Sequence, residues 1–137
     1  MATYTSDKTV STVQARGGVD LTSVTGTYTV SANLAANDVI QMVKIPAGAT
    51  VQEVIVSASA SVAATSTGEV GDGDDTDRFV ASGSIGGGAA SLGRLNAATG
   101  HGYKYSSEDT IDIKFTVQTT PTTGAVLKLT AFYTLQF

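Results

Sequence analysis

Strict alternation of apolar and polar residues between positions 110 and 118 constrains the fold more than any other feature of the sequence. The apolar positions in this segment are Ile111, Ile113, Phe115 and Val117. Because successive side chains of a β-strand point to opposite faces of a sheet, this period of two predicts a strand with one face in the core and one in water. A second alternating segment, 127–137, follows a turn that contains Pro121 and Gly124. We therefore expect the two segments to form an antiparallel hairpin.

Residues 39–45 and 51–60 predict a second pair of strands. Positions 46–49, Pro-Ala-Gly-Ala, connect them, and in such a turn proline fixes one dihedral angle while glycine supplies a positive one. The pattern is compatible with a hairpin or with a tight corner between sheets. In the second segment, Val54 and Val56 share one face, and the opposite face is also partly apolar. This predicts a well-covered strand in the interior of its sheet.

Several shorter segments are rich in Val, Thr or aromatic residues and are bounded by Gly, Asn or Asp, as strands are. They are 9–15, 25–32, 78–82 and a stretch around Tyr103. A helix has room for one turn, at 33–37, because no window shows a sustained repeat of 3.6 residues. We therefore expect an all-β fold, an antiparallel β-sandwich or jelly roll.

The remaining segments predict two long loops and a flexible N-terminal arm. The loops are 63–77 and 83–102, which are rich in Gly, Ser and Asp. The arm is 1–18, and 19–137 is a single β-sandwich domain. A chain of 137 residues is long enough to bury its own core without metal or disulfide links.

The composition excludes several classes of function. Charged residues make up 15% of the chain, against about 25% in typical soluble domains, so hydroxyl and small side chains carry much of the surface. A net charge of −4 with scattered basic residues argues against nucleic acid as a partner. No apolar run approaches the length of a membrane helix, and no export signal is recognisable at the N-terminus. The absence of cysteine excludes disulfides and thiolate metal sites.

An acidic cluster lies inside the first predicted loop and is the densest group of possible metal ligands. Its members are Asp72, Asp74, Asp75 and Asp77. The spacing resembles a calcium loop only in part, because the twelfth position, where such a loop carries Glu, is Gly83. Two readings stay open: a solvated acidic turn held by an ion pair with Arg78, or a weak cation site. We expect no cofactor.

No arrangement of residues predicts catalysis. His101 is the single histidine, and the sequence places no nucleophile in a recognisable motif beside it. Glu108 and Asp109 are adjacent and would point to opposite faces of a strand, so they predict a turn rather than a catalytic pair. The run Gly86–Gly88 lacks the Lys-Ser or Lys-Thr of a phosphate loop. We therefore expect that the chain is not an enzyme.

Contacts with partner proteins are the remaining role for the distinctive surface residues. Phe132 lies on the opposite face of its strand from the apolar row that contains Leu129 and Tyr133. This predicts that Phe132 is either packed under another strand or part of a subunit contact. The candidate contact residues are Arg16, Arg78, Arg94, His101 and Phe132. The arm and the loop 83–102 have the reach to make such contacts.

Four stretches together resemble the small head-decoration or cement proteins of tailed bacteriophages. They are 45–51 (IPAGATV), 69–72 (EVGD), 75–82 (DTDRFVAS) and the closing strand 127–137. The resemblance implies a virion structural protein on the outer capsid surface, made in the host cytoplasm. It also implies self-association, with a trimer favoured, and the major capsid protein as partner. It implies neither nucleic-acid nor membrane binding.

The expected function is therefore stabilisation of a phage head by bridging capsid subunits. Many modest contacts with neighbouring subunits would achieve this without a deep pocket. A tail or head-fibre component of the same particle is the alternative. A calcium- or carbohydrate-binding β-sandwich module, with the acidic cluster as its ion site, is the alternative from another class.

Overall fold

A computed structural model describes residues 1–8, 19–60, 67–86, 92–117 and 121–136 of the chain. Within these residues, nine strands form two sheets. The strands are β1 (Thr3–Lys8), β2 (Val19–Thr29), β3 (Val39–Ile45), β4 (Ala49–Ala58), β5 (Thr67–Gly71), β6 (Val80–Gly86), β7 (Leu92–Arg94), β8 (Asp109–Val117) and β9 (Val126–Gln136). The described part of the chain contains no helix long and apolar enough to cross a membrane.

The order of the strands identifies a jelly roll. One sheet has the order β1-β3-β8-β5-β6 and the other the order β2-β9-β4-β7. The antiparallel pairs β2 with β9, β3 with β8, β4 with β7 and β5 with β6 nest inside one another along the sequence. The chain is thus one long hairpin wound so that successive pairs fall in alternate sheets. The predicted all-β sandwich is confirmed, and the jelly roll is the form that it takes.

The core lies between the two sheets and is built from the apolar face of nearly every strand. The alternation on β8 places Ile111, Ile113 and Phe115 there, all fully buried. Tyr133 and Leu129 of β9 meet them from the other sheet. Burying such side chains stabilises the fold by about 1.5–3 kcal/mol each relative to exposure.

The segment 46–49 is the corner between the two sheets, one of the two forms that the sequence allows. β3 ends in the five-stranded sheet and β4 begins in the four-stranded sheet. Gly48 has a φ of 86°, a conformation that suits glycine, and its N–H donates to the Tyr105 carbonyl at 2.7 Å. β4 then lies between β9 and β7, in the sheet interior as predicted.

The predicted hairpin between 110–118 and 127–137 is wrong. β8 pairs with β3 and β5, whereas β9 pairs with β2 and β4 in the opposite sheet. The alternation identifies both strands correctly, but it carries no information about which strands pair. The connection crosses from one sheet to the other because each strand finds two partners far away in the sequence.

The two segments predicted as long loops are partly strands. The first, 63–77, contains β5, and the second, 83–102, contains the end of β6 and all of β7. Glycine interrupts these short strands, so their sequences show no sustained run of the β-branched and aromatic residues that mark a strand. Pairing with β8 and β4 holds them in place.

The first residues of the predicted N-terminal arm form β1, which pairs in parallel with β3 at the edge of the five-stranded sheet. The Ser6 hydroxyl donates a hydrogen bond to the Met42 carbonyl and ties the two strands together. Residues 9–18, with the strand predicted at 9–15 and with Arg16, lie outside the described residues. At 33–37 the chain makes turns, and Asn37 has a positive φ of 67°.

Gly26 lies where β2 passes close to β3 of the opposite sheet. A β-carbon at this position would overlap the Met42 carbonyl group and come within 2.7 Å of the Ser6 hydroxyl. The backbone of β3 cannot move aside without disturbing its own pairing with β1 and with β8. The two sheets therefore require glycine here for packing.

We expect Gly26→Ala to lower the free energy of unfolding by about 1–3 kcal/mol, because the added methyl group overpacks this contact. Urea denaturation measures the change. Gly73→Ala is the matched control, since a β-carbon at Gly73 has nothing within 4 Å. Equal stability of the two variants would contradict the proposed contact.

Candidate functional site

The acidic turn between β5 and β6 is organised around Asp72, whose side chain is only 1% exposed. Its Oδ1 accepts hydrogen bonds from the backbone N–H groups of Asp74 and Asp75, at 3.1 and 3.0 Å. Its Oδ2 accepts from Arg78 Nε at 2.6 Å and from the Tyr105 hydroxyl at 3.0 Å. Both oxygens of this buried carboxylate therefore have partners within the protein.

Arg78 connects the turn to the segment that precedes β8. Its guanidinium carbon lies 3.9 Å from the centre of the Tyr103 ring, within range of a cation–π interaction. The Tyr103 and Tyr105 rings meet edge to face with centroids 5.0 Å apart, and Phe79 packs against both. Burial and the neighbouring Asp72 carboxylate raise the pKa of Tyr105, so its hydroxyl stays a donor.

Two glycines permit this close packing. A β-carbon at Gly71 would overlap the backbone of Asp75 and Thr76, and one at Gly100 would overlap Arg78 and Phe79. The turn backbone therefore lies directly over the end of β5. The geometry is that of a pinned turn, the first of the two readings that the sequence leaves open.

The other acidic side chains of the cluster stand at the surface. Asp74 and Asp77 are exposed, and Asp75 is half-buried beside Arg78. A hydrogen bond with Asp75 and partial desolvation of the carboxyl group raise the pKa of Asp77. Across the described residues, no group of three or more His, Cys, Asp or Glu side chains is arranged to hold a metal ion. The cluster therefore consists of acidic side chains near the surface around one buried carboxylate, Asp72, whose two oxygens both accept hydrogen bonds from the protein.

We expect Asp72→Asn to lower the free energy of unfolding by about 3–5 kcal/mol, because it removes the buried charge partner of Arg78 and leaves only the more distant Asp75. Thermal or urea denaturation at neutral pH measures this loss. Asp74→Asn, in the same turn but exposed, is the control and should change stability by less than about 0.5 kcal/mol. A small effect of Asp72→Asn would show that the pair does not hold the turn.

The candidate contact residues lie in different parts of the molecule. His101 is exposed in the turn between Gly100 and Gly102. Arg94 lies on β7, 62% exposed, and its guanidinium is 2.6 Å from Glu53 of β4. Arg78 has a side chain that is only 12% exposed and engaged by Asp72. Arg94 therefore lies on the four-stranded sheet beside Glu53, the register partner of Phe132, whereas Arg78 and His101 lie at the acidic turn and the segment before β8.

Phe132 lies in the middle of the outer face of the four-stranded sheet. Its partners in register are Ser23 on β2 and Glu53 on β4. Hydroxyl groups dominate the rest of this face, and the Thr25 and Thr130 hydroxyls are 2.8 Å apart. Near one end Leu21 is 65% exposed, a large value for leucine. We call this surface, Leu21, Ser23, Thr25, Ile55, Thr130, Phe132 and Thr134, the threonine face.

A pocket of about 290 Å³ lies on the outer face of the opposite, five-stranded sheet. Its floor includes Gln41 of β3 and Asp112 of β8, which are in register. The acidic turn forms one wall, through Gly73 and Thr76, and the start of the chain forms the other. The pocket lining is Met1, Thr3, Val39, Gln41, Gly71, Asp72, Gly73, Thr76, Asp112 and Lys114.

Asp112 is the feature that sequence reasoning missed. The alternation on β8 correctly predicts that this side chain points away from the core, but the outer face here is not wet. Asp112 is 8% exposed, and its Oδ1 has no hydrogen-bond partner. Burial, together with the charges of Asp109 and Asp72, raises its pKa to about 7. A charged residue in the middle of a sheet's central strand was the available signal.

The raised pKa makes stability depend on pH. The folded state holds the Asp112 proton up to a higher pH than the unfolded state does, so ionisation of this group weakens the fold as pH rises from about 4 to about 7. Asp112→Asn removes this contribution. Between about pH 5 and pH 8, we expect the wild type to lose about 2–3 kcal/mol relative to the Asn variant. Denaturation of both proteins at each pH measures the difference, and a constant difference would contradict the raised pKa.

Comparison with known proteins gives matches in structure alone. No family model matches the sequence, and no curated protein sequence matches it. A chain in the capsid of Ralstonia phage GP4 superposes with a TM-score of 0.82 at 20% identity, covering 99% of both chains. A chain in the capsid asymmetric unit of cyanophage Pam1 gives 0.66 at 18% identity, over 91% of this chain and 94% of that one.

A third match is a chain in the acid-stable capsid of Helicobacter pylori bacteriophage KHP30. Its TM-score is 0.57 at 15% identity, over 85% of this chain and 93% of that one. The shared jelly roll extends nearly from end to end in all three cases, so these chains are similar to the present one as whole proteins. The present chain therefore has the fold of chains found in three phage capsids.

Proposed function

We propose that this chain is a structural protein of a phage head, a cement protein that self-associates and bridges subunits of the shell. The observation that carries the proposal is the superposition with a chain of the GP4 capsid over 99% of both chains. The resemblance of 45–51 and 75–82 to head-decoration proteins points the same way. We further propose a trimer on the outer surface of the shell, with the major capsid protein as partner.

The threonine face is suited to contact with another subunit. Its outward side chains carry few charges, and the charged Glu53 beside Phe132 is already paired with Arg94. Burying charge-poor surface costs little desolvation, whereas Phe132 and Leu21 supply apolar area at its centre and edge. Threonine side chains in a strand are stiff, so they lose little conformational entropy on contact.

The jelly roll supplies the rigidity that bridging requires. Its core joins two sheets whose strands pair across long sequence distances, so a load applied to one surface is spread over many backbone hydrogen bonds. A bridging protein resists expansion of a shell only if it deforms less than the contacts it spans. The pinned turn at Asp72 extends this rigidity to a surface loop.

Purified protein added to expanded shells that lack it tests the proposal. We expect saturable binding, trimers by light scattering in solution, and density on the outer surface of the shell by electron cryomicroscopy. A monomer that leaves the shells bare would contradict the proposal. Density on the tail or on head fibres would instead identify the alternative role in the same particle.

Phe132→Ser tests the contact surface. We expect it to weaken self-association or shell binding by at least about tenfold, because buried aromatic side chains dominate interface energies. Thr123→Ala, at an exposed turn, is the control and should bind like the wild type. Thermal melting of both variants confirms that they are folded. Unchanged assembly of folded Phe132→Ser would show that the threonine face is not a contact.

A further inference from the structure

The pocket over the five-stranded sheet is lined by a buried carboxylate that the fold satisfies only in part. Asp112 is more than nine-tenths buried, and its Oδ1 has no hydrogen-bond partner. An unsatisfied buried acceptor costs about 1–3 kcal/mol, and more when it is charged. The isolated chain bears this cost in free energy, and a ligand that hydrogen-bonds to the carboxylate would remove it.

The neighbouring charges do not serve Asp112. Lys114, two residues along the same strand face, has its ammonium 3.8 Å from Glu69 Oε1. Arg78 is held by Asp72, which itself accepts five hydrogen bonds. The charges that act on Asp112, those of Asp109 and Asp72, are negative. Lys114 and Arg78 are thus each paired with a carboxylate other than that of Asp112.

We propose that this pocket receives a cationic side chain, lysine or arginine, from a neighbouring subunit of the particle. This inference rests on the proposed function, because the neighbour is another protein of the shell. Gln41, Thr3 and Thr76 line the pocket beside Asp112, and each carries a side-chain oxygen that can accept a hydrogen bond. An ammonium has three hydrogens to donate and a guanidinium five, so such a group can use the carboxylate and these acceptors together.

The shape of the pocket also fits a long side chain. Its volume of about 290 Å³ equals that of roughly ten water molecules. Val39 and Met1 add apolar surface for the methylene stem, and the charged head would meet the carboxylate at the floor. The exposed carboxylates of Asp74 and Asp77, in the adjoining turn, add a negative field that attracts a cation from solution.

A metal ion fits the pocket less well. Calcium takes six to eight oxygen ligands and magnesium about six, usually with several carboxylates among them. The second carboxylate that lines the pocket, Asp72, has both oxygens engaged by protein donors. The described residues contain no acidic group of three or more arranged around an ion. A single free carboxylate oxygen suits an ammonium or guanidinium better.

Two measurements test the inference. In the first, butylammonium chloride is titrated into the wild-type protein, and amide shifts are followed by NMR, with sodium chloride at equal ionic strength as reference. We expect saturable shifts at Gly71, Asp112 and Lys114, and at least about tenfold weaker binding to Asp112→Asn. Asp74→Asn, which keeps the pocket floor, is the matched control and should bind like the wild type within about twofold.

In the second measurement, wild type, Asp112→Asn and Asp74→Asn are bound to shells that lack the protein. We expect at least about tenfold weaker binding for Asp112→Asn alone. Equal binding by all three proteins would overturn the inference while leaving the cement role intact. No binding by any of them would overturn the cement role, and the amide shifts alone would then test whether the pocket binds a cation. Shifts with calcium chloride but not with butylammonium would overturn the inference in favour of a metal site.

Discussion

The acidic turn and the Asp112 pocket both depend on the buried ion pair between Asp72 and Arg78. A charge this deep is tolerated only when donors surround it, and here two backbone N–H groups, a guanidinium and a phenol do so. Together they hold the acidic turn against the segment before β8. Because Gly71 has no side chain, the turn lies on the sheet and becomes a wall of the Asp112 pocket. One buried ion pair therefore shapes the proposed binding site next to it.

The two proposed contact surfaces lie on opposite faces of the sandwich and differ in chemistry. The threonine face is rich in hydroxyl groups and poor in charge, so contact there depends on fit and on apolar area. The Asp112 pocket is concave and lined by a buried carboxylate, so contact there depends on charge. A protein with both could engage one neighbour on each side of the sandwich. Bridging of this kind needs contacts on separated surfaces, and the jelly roll provides them on one rigid body.

The sequence predicts strands well and their neighbours poorly, for a physical reason. Alternation on β8 and β9 reports which side chains face the core, a local property that the residues carry themselves. Pairing is decided by the whole winding of the chain, so the hairpin predicted between them was wrong. The glycine-rich β5 and β7 were missed because their partners, not their residues, make them strands. Asp112 was missed because alternation identifies a face but not what covers it.

The pairing of β9 with β2 along eleven register positions has a consequence for how the protein is made. β9 lies between β2 and β4, so β2 has no partner in the four-stranded sheet, and β4 has only β7, until β9 leaves the ribosome. Synthesis proceeds from the N-terminus, so β9 emerges after both of the strands that it joins. Until then, the edges of β2 and β4 that face β9 carry unpaired backbone groups. The four-stranded sheet is therefore expected to form only after β9 has been synthesised.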